Sequence, residues 1–344
     1  MRNNKKNLRA NQILLLLMVL CWIAFPIKVG FAAESPQVPY EVQAILPENQ
    51  QDFTATYYDL RVIPNQQQQL EVILRNHSDN DIEIDIERTT AKTNRNGLID
   101  YGIPDTVLDP SLPYAFSTLV QGPSTIKLKP KEEQRVTFTL KMPETIFDGI
   151  LLGGLRFQQK DVKNSIDEGP IQNRFAYNLA VKLQETDTLV TPELKLLKVQ
   201  PELRNYRNVL AVTLQNERSQ LVKGLNIEAK IYKKGQKNIY KQVKSTDLSM
   251  APNSSFDYPI KWENTPFEPG IYELKMKAHA GEQEWSWNKT FTIEAEKANN
   301  LNQKAVELKQ ENNGVMYLLI GLLIVLILAF AYYVYRTKRR QRNV

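Results

Sequence analysis

Ile82-Glu83-Ile84-Asp85-Ile86 alternates apolar and polar residues one by one, as do Ile126-Lys127-Leu128 and Val136-Thr137-Phe138-Thr139-Leu140. A period of two sends successive side chains to opposite faces of an extended chain. Such runs therefore demand a sheet with one buried and one wet face. Turn-forming clusters separate them: Asn76-His77-Ser78-Asp79-Asn80, Asn94-Arg95-Asn96-Gly97 and Lys129-Pro130-Lys131. A second set of apolar runs covers Leu194 to Val199, Val209 to Leu214, Leu225 to Tyr232, Phe256 to Trp262, Ile271 to Met276 and Trp285 to Ile293. Pro269-Gly270-Ile271-Tyr272 reads as the turn into a late strand of an immunoglobulin-like sandwich. Short strands at this spacing predict an all-β chain of two tandem immunoglobulin-like β-sandwich domains, because roughly 280 residues exceed one small core.

The two ends follow different rules. Arg2, Lys5, Lys6 and Arg9 precede an apolar run from Ile13 to Ile27, and Gly30-Phe31-Ala32 closes it. That is the pattern of a signal peptide over 1–32, cleaved after Ala32. Near the other end, Val315 to Val334 is almost wholly apolar and is followed by Arg336, Lys338, Arg339, Arg340 and Arg342. This predicts one C-terminal transmembrane helix over 314–335 and a basic cytoplasmic tail over 336–344, with everything before the helix outside the cell. Between the ends we expect a first domain over 33–160, a second over 168–296 and a polar stalk over 297–313, with Ala305 to Lys309 able to form a helix. The boundary is placed in the polar stretch Lys160 to Pro170.

This layout changes the meaning of the formal charge of +6. Ten of the 44 Lys and Arg lie in the two ends, which leaves 34 against 38 Asp and Glu in the middle. The basic excess serves targeting and orientation, so no nucleic acid is expected as a partner. The one cysteine, Cys21, lies in the leader, behind bulky Leu20 rather than a lipoprotein-type small residue. An exported chain without disulfides suits the envelope of a Gram-positive bacterium. No Leu-Pro-x-Thr-Gly sorting signal precedes the apolar segment, so the chain is expected to stay in the membrane.

Catalysis requires convergent polar groups, and the sequence offers few. The two histidines, His77 and His279, sit in expected turns of different domains, and the mature chain has no thiol. No phosphate loop and no His-x-x-x-His pair is present. We therefore expect no enzyme, no cofactor and no metal. Asp79-Asn80-Asp81 reads as a hairpin turn rather than a calcium loop, since it lacks the glycine and distal glutamate.

Three features bear on binding. The stretch Asp100 to Pro123 carries Tyr101, Tyr114 and Phe116 among four prolines with little alternation. It is either a binding loop with exposed aromatics or a loop packed over the open end of the sandwich. Asn49 and Gln50 add amides suited to sugar hydroxyls and acetamides. Phe147-Asp148-Gly149-Ile150-Leu151-Leu152-Gly153-Gly154-Leu155 is either an edge open to strand addition or a central strand buried on both faces. Trp285 and Trp287 share a strand face with Phe291 and Ile293, which assigns them to the core.

Several of these segments, in the same order, resemble the WxL-interacting protein family. In the first domain they are Ile45-Leu46-Pro47-Glu48-Asn49-Gln50, Tyr57-Tyr58-Asp59-Leu60, Thr93 to Tyr101, and Lys141-Met142-Pro143 running into Phe147 to Gly154. In the second they are Pro192 to Val199, Ala211-Val212-Thr213-Leu214-Gln215-Asn216 and Met250 to Asp257. The resemblance implies a non-catalytic surface adaptor. Its first domain would contact peptidoglycan or WxL-domain surface proteins, and its second a host extracellular-matrix protein or other surface partner. The runner-up is a cell-wall-modifying hydrolase. The family pattern assigns no contact residues, so Asn49, Gln50, Tyr101, Tyr114 and Phe116 stand as candidates on their chemistry alone.

Overall fold

The structure, a computed structural model, describes residues 38–160, 175–308 and 314–341. The expected leader and the polar boundary segment therefore lie outside the described residues, apart from Lys160. Residues 309–313 of the expected stalk and 342–344 of the tail also lie outside. From Tyr40 onward the chain forms one compact unit.

The first sandwich faces a four-stranded sheet, in the order β1 (Tyr40–Ile45), β3 (Gln67–Asn76), β9 (Glu133–Lys141) and β7 (Val120–Gln121), against a five-stranded one. The second sheet runs β2 (Tyr58–Arg61), β11 (Ala176–Gln184), β10 (Leu151–Gln159), β4 (Ile82–Thr90) and β8 (Thr125–Leu128). Its pairings are antiparallel except that of β2 with β11. The alternating runs do what their period requires. Leu70, Val72 and Leu74 of β3 point inward with Ile82, Ile84 and Ile86 of β4 and with Val136, Phe138 and Leu140 of β9. Phe138 meets Phe157 edge to face at 6.3 Å. A two-stranded arm, β5 (Lys92–Thr93) with β6 (Ile99–Asp100), leaves the sandwich after β4. A single helical turn, α1 (Phe116–Leu119), follows.

The second sandwich packs β12 (Leu194–Arg204), β13 (Arg207–Asn216) and β16 (Ser254–Lys261) against β15 (Lys241–Met250), β14 (Val222–Lys233), β17 (Gly270–Ala280) and β18 (Gln283–Ile293). Trp262 sits at its centre, 4.9 Å from Phe267 and 5.8 Å from Tyr240 between ring centroids. The turn at Pro269-Gly270 leads into β17, and the Tyr272 hydroxyl donates back to the Glu268 carbonyl at 2.8 Å, as in a tyrosine corner. Trp285 and Trp287 are half-buried against this core on the face of Phe291 and Ile293.

A shared device ends β3 and β13. Asn76 is buried, and its amide donates to the carbonyls of Asn80 and Lys129, both at 2.8 Å. Asn216 does the same to Gln220 at 2.7 Å and Ala251 at 3.0 Å. Each side chain replaces ladder partners that the turning backbone would otherwise lose.

The structure bears on three expectations about organisation. β11 lies beyond Lys160 to Pro170, yet it hydrogen-bonds to β10 and β2 in the first sandwich. The polar stretch thus separates two neighbouring strands of one sheet, and the sheets change over between Gln184 and Leu194. The expected stalk begins with α2 (Ala295–Lys304), whose Ala298 and Leu301 are buried in the second core. Asn302 clamps it by donating to the Phe267 carbonyl at 2.9 Å and accepting from the Phe267 N–H at 2.8 Å and Asn208 at 2.9 Å. The helix stops at Lys304, and the chain stays tied to β13's approach through the Val306 N–H and Tyr206 carbonyl. The Ala305 to Lys309 helix is not seen among the described residues.

The third concerns the anchor. Helix α3 runs over Gly314–Gln341, 28 residues. Among the described residues no helix is long and apolar enough to cross a membrane. The anchor over 314–335 is thus an inference from sequence.

Candidate functional site

The predicted aromatics of the 100–123 stretch are packed rather than displayed. Phe116 is 0% exposed. Its ring occupies the space over Gly153, where an added Cβ would lie 2.0 Å from the Phe116 Cγ. On the opposite face of β10, Tyr101 covers Gly154, where an added Cβ would lie 2.9 Å from the Tyr101 Cβ. The pair of glycines is a pair of sockets, one per face, and the 100–119 chain fills both. Burial pushes the Tyr101 hydroxyl up to about 12. Tyr114 is half-buried and meets Phe147 edge to face at 6.5 Å. The reading of 100–123 as a loop packed on the sandwich is the one observed, and Phe116 has no face left for a ligand. Likewise β10 is central, between β11 and β4, so it is not an edge for strand addition.

The predicted amides are also structural. The Gln50 side chain is buried; it donates to the carbonyls of Asp52 at 2.8 Å and Tyr57 at 2.9 Å and accepts from the Asp59 N–H at 3.0 Å. Asn49 donates to the Arg61 carbonyl at 2.7 Å and to Gln68 Oε1 at 2.9 Å. Both shape the crossing from β1 to β2, and both amide nitrogens and the Gln50 oxygen are committed. The structure brings Tyr101 and Phe116 to adjacent positions of one strand. It does not bring Asn49 and Gln50 into contact with them.

Sequence reasoning missed the seam between the sandwiches. Ala91, Ile150, Leu152 and Ala251 form a small buried apolar cluster, with Ile99, Tyr101 and Leu221 packed on it. Around it run hydrogen bonds from one sandwich to the other. Thr93 Oγ1 and Ser254 Oγ lie 2.6 Å apart, and the Ala251 N–H donates to Thr93 Oγ1 at 3.0 Å. Gln215 donates to Asp109 Oδ1 at 2.7 Å, and Asn253 to the Ser111 carbonyl at 2.8 Å. Backbone meets backbone twice: the Ile150 N–H donates to the Ser219 carbonyl, and the Ser249 N–H to the Gly97 carbonyl, both at 2.7 Å. Gly149, at φ +86°, permits the first approach, since a Cβ there would lie 2.1 Å from the Ser219 oxygen. Charge is nearly absent from this contact, and its polar atoms are paired with neutral partners or Asp109. The signal was in the sequence: a polar β5–β6 hairpin, Thr93-Asn94-Arg95-Asn96-Gly97, followed by a long unalternating loop.

Beside this seam lies an open cleft of about 600 Å³, walled by the β5–β6 arm and loop of the first sandwich and by Ser255 and Asp257 of β16 in the second. Lys92 at its inner end donates to the Pro104 carbonyl at 2.6 Å, and burial lowers its pKa against the opposing pull of Asp105. The turn is shaped by Asn94 Oδ1, which accepts from the N–H groups of Asn96 at 2.9 Å and Leu98 at 3.2 Å. Asp257 accepts from Thr213 Oγ1 at 2.6 Å. A smaller groove of about 450 Å³ crosses the outer face of β14, β17 and β18, where Lys275 lies 5.1 Å from the Tyr232 ring centre. His77 is exposed, 3.1 Å from Glu41, and His279 is exposed on β17 near its end, so the two lie in different sandwiches. Among the described residues no group of three or more His, Cys, Asp or Glu could hold a metal ion.

Comparison with known proteins gives two family matches in tandem. Residues 40–159 match "WxL Interacting Protein, peptidoglycan binding domain", and residues 167–303 match "WxL Interacting Protein, host binding domain". The second match begins before β11, which the sheet hydrogen bonds place in the first sandwich. No curated protein matches the chain. Among solved structures, a chaperone–tip adhesin complex of Csu pili from Acinetobacter baumannii is 11% identical, covering 65% of this chain and 91% of that one at a TM-score of 0.29. A SafA pilin–SafB chaperone complex from Salmonella enterica is 12% identical, covering 75% and 98% at 0.26. A PapD-like domain of human CEP192 is 13% identical, covering 47% and 94% at 0.28. Likenesses this loose carry no functional argument.

Proposed function

The chain belongs to the WxL-interacting protein family, and from that premise we propose that it is a membrane-held, non-catalytic adaptor of a Gram-positive cell envelope. In this reading the first sandwich binds peptidoglycan and the protein holds WxL-domain proteins at the surface. The second sandwich contacts a host extracellular-matrix protein. The observation that carries the proposal is the tandem match over two sandwiches that the structure joins through a buried seam. The apolar run 315–334 and the basic residues after it support an anchor with a cytoplasmic tail. A helix of 28 residues would reach about 42 Å, more than the ~30 Å of a hydrocarbon core.

Three measurements test this reading. Titration calorimetry of the chain in detergent with a WxL-domain protein from the same surface should give saturable heat of defined stoichiometry. Sedimentation with purified wall sacculi should carry the chain down. Protease should strip the sandwiches from wall-free protoplasts more readily than from intact cells. No heat in a folded sample would remove the WxL-domain proteins as direct partners. The alternative, a wall hydrolase, is disfavoured by the separation and exposure of the two histidines. Release of soluble fragments from labelled peptidoglycan would reinstate it.

A further inference from the structure

We propose that the cleft beside the seam is a composite site for the stem peptide of peptidoglycan, made jointly by the two sandwiches. This rests on the reading that the protein contacts peptidoglycan, and it assigns the place and the part of the polymer recognised. Size comes first. About 600 Å³ suits a short peptide or a disaccharide, not a folded protein domain.

The lining then selects between those ligands. Arg95 and Asn96 are exposed at the arm's tip, and among the described residues their side chains make no hydrogen bond or ion pair. Facing them across the cleft is half-buried Asp257, whose Oδ1 accepts from Thr213 and whose Oδ2 lies 4.0 Å from Arg204, with exposed Ser255 beside it. Val107, 78% exposed, adds an apolar wall. A guanidinium, a carboxylate on the opposite wall and a methyl-sized apolar contact match a short zwitterionic peptide with alanine side chains, free carboxylates and an amine. A guanidinium fork grips a carboxylate in a bidentate manner. A wholly anionic wall polymer would meet Asp100 and Asp257. A bare disaccharide would leave Arg95 without an anionic partner.

The composite build has a mechanical consequence. The arm that carries Arg95 is held in place by Thr93, which bonds to Ser254 at 2.6 Å, one residue before Ser255. The two walls keep their spacing only while the sandwiches are docked. Ligand binding and docking should therefore stabilise each other.

The test uses the full chain in detergent micelles, with sacculus sedimentation and calorimetry against a soluble disaccharide–tetrapeptide run in parallel. Arg95→Glu should weaken muropeptide binding about tenfold or more with an unchanged melting temperature, because the residue is exposed. Ser255→Arg, which blocks the opposite wall from an exposed position, should do the same. The disaccharide without its peptide should bind at least about tenfold more weakly than the complete muropeptide. If wild type binds sacculi and muropeptide but both variants bind as wild type does, the cleft is not the site, and the peptidoglycan reading stands without it. Equal binding of the bare disaccharide would overturn the peptide assignment. If wild type binds neither sacculi nor muropeptide, the peptidoglycan reading itself fails and this site falls with it.

Discussion

Gly153→Ala should be destabilising in the native chain and stabilising once Phe116 is truncated. The added Cβ would lie 2.0, 2.2 and 2.5 Å from the Cγ, Cδ1 and Cβ of Phe116, and these are its three nearest atoms. Phe116 is fully buried and cannot swing into solvent. Its backbone is also fixed, because its N–H donates to Thr90 Oγ1 at 3.0 Å. Overpacking of this kind costs about 1–3 kcal/mol or more. Phe116→Gly, which removes all three of these atoms including the Cβ, leaves a cavity and should cost about 3–5 kcal/mol or more. In that background the new methyl enters empty space, fills part of the cavity and removes glycine's excess unfolded-state freedom. A gain of about 0.5–1 kcal/mol is then expected from the backbone alone. The coupling in the double-mutant cycle should therefore be about 2–3 kcal/mol in favour of the double variant. Guanidinium denaturation followed by tryptophan fluorescence and far-ultraviolet circular dichroism measures it. Additivity within about 0.5 kcal/mol would refute the socket geometry. Loss of ligand binding by Phe116→Gly at unchanged stability would show that Phe116 is a contact residue after all.

Other perturbations probe the seam, the linker and the helical cap. Gly149→Ala puts a Cβ 2.1 Å from the Ser219 oxygen at a φ of +86°, so it should undock the sandwiches. Calorimetry should then resolve two transitions where the native chain shows one, and an unchanged single transition would contradict this. Glu185 is buried just after β11, and burial raises its pKa although the Phe147 N–H bond at 2.9 Å opposes the rise. A raised carboxyl favours the folded state when neutral. Its contribution is complete below the unfolded value of about 4.3 and is lost as pH climbs through the folded value. Glu185→Gln should thus match the native chain at low pH and exceed it in melting temperature at neutral pH; the reverse order would refute the sign. Asn302→Ala removes three hydrogen bonds from α2 and strands the Phe267 N–H, so it should cost about 1–3 kcal/mol by denaturant titration. A near-neutral result would mean that α2 is not clamped.

The strands with strict alternation were legible because burial on one face is a local pattern. β4, β8, β9, β14 and β16 fall where their apolar period places them. β15, Lys241 to Met250, was not legible, since it is a polar edge strand with irregular pairing to β14 and only its end residue is fully buried. Edge strands are commonly kept polar to avoid adding further strands. α2 was read as stalk because its mean composition is polar, although two residues, Ala298 and Leu301, are enough to seat it.

The candidate site was less legible than the fold. Tyr114 and Phe116 carry no alternation, and an aromatic in an irregular segment looks the same whether it faces water or fills a socket. Only the position of Gly153 and Gly154 across the sheet decides that. The amides of Asn49 and Gln50 look available in the sequence, yet backbone groups at Tyr57, Asp59 and Arg61 take up both of their nitrogens and the Gln50 oxygen.

By itself the sequence determined the class of the molecule: its all-β middle, the lack of a second cysteine for any disulfide within the chain, and the run of motifs that mark its family. These are properties of composition, period and order along the chain. The tertiary structure alone decided that β11 closes the first sandwich, that the β5–β6 arm docks on the second, and that the seam leaves a cleft beside it. Each of those depends on which distant backbone group pairs with which, and a hydrogen bond between Thr93 and Ser254 leaves no periodic trace in either segment.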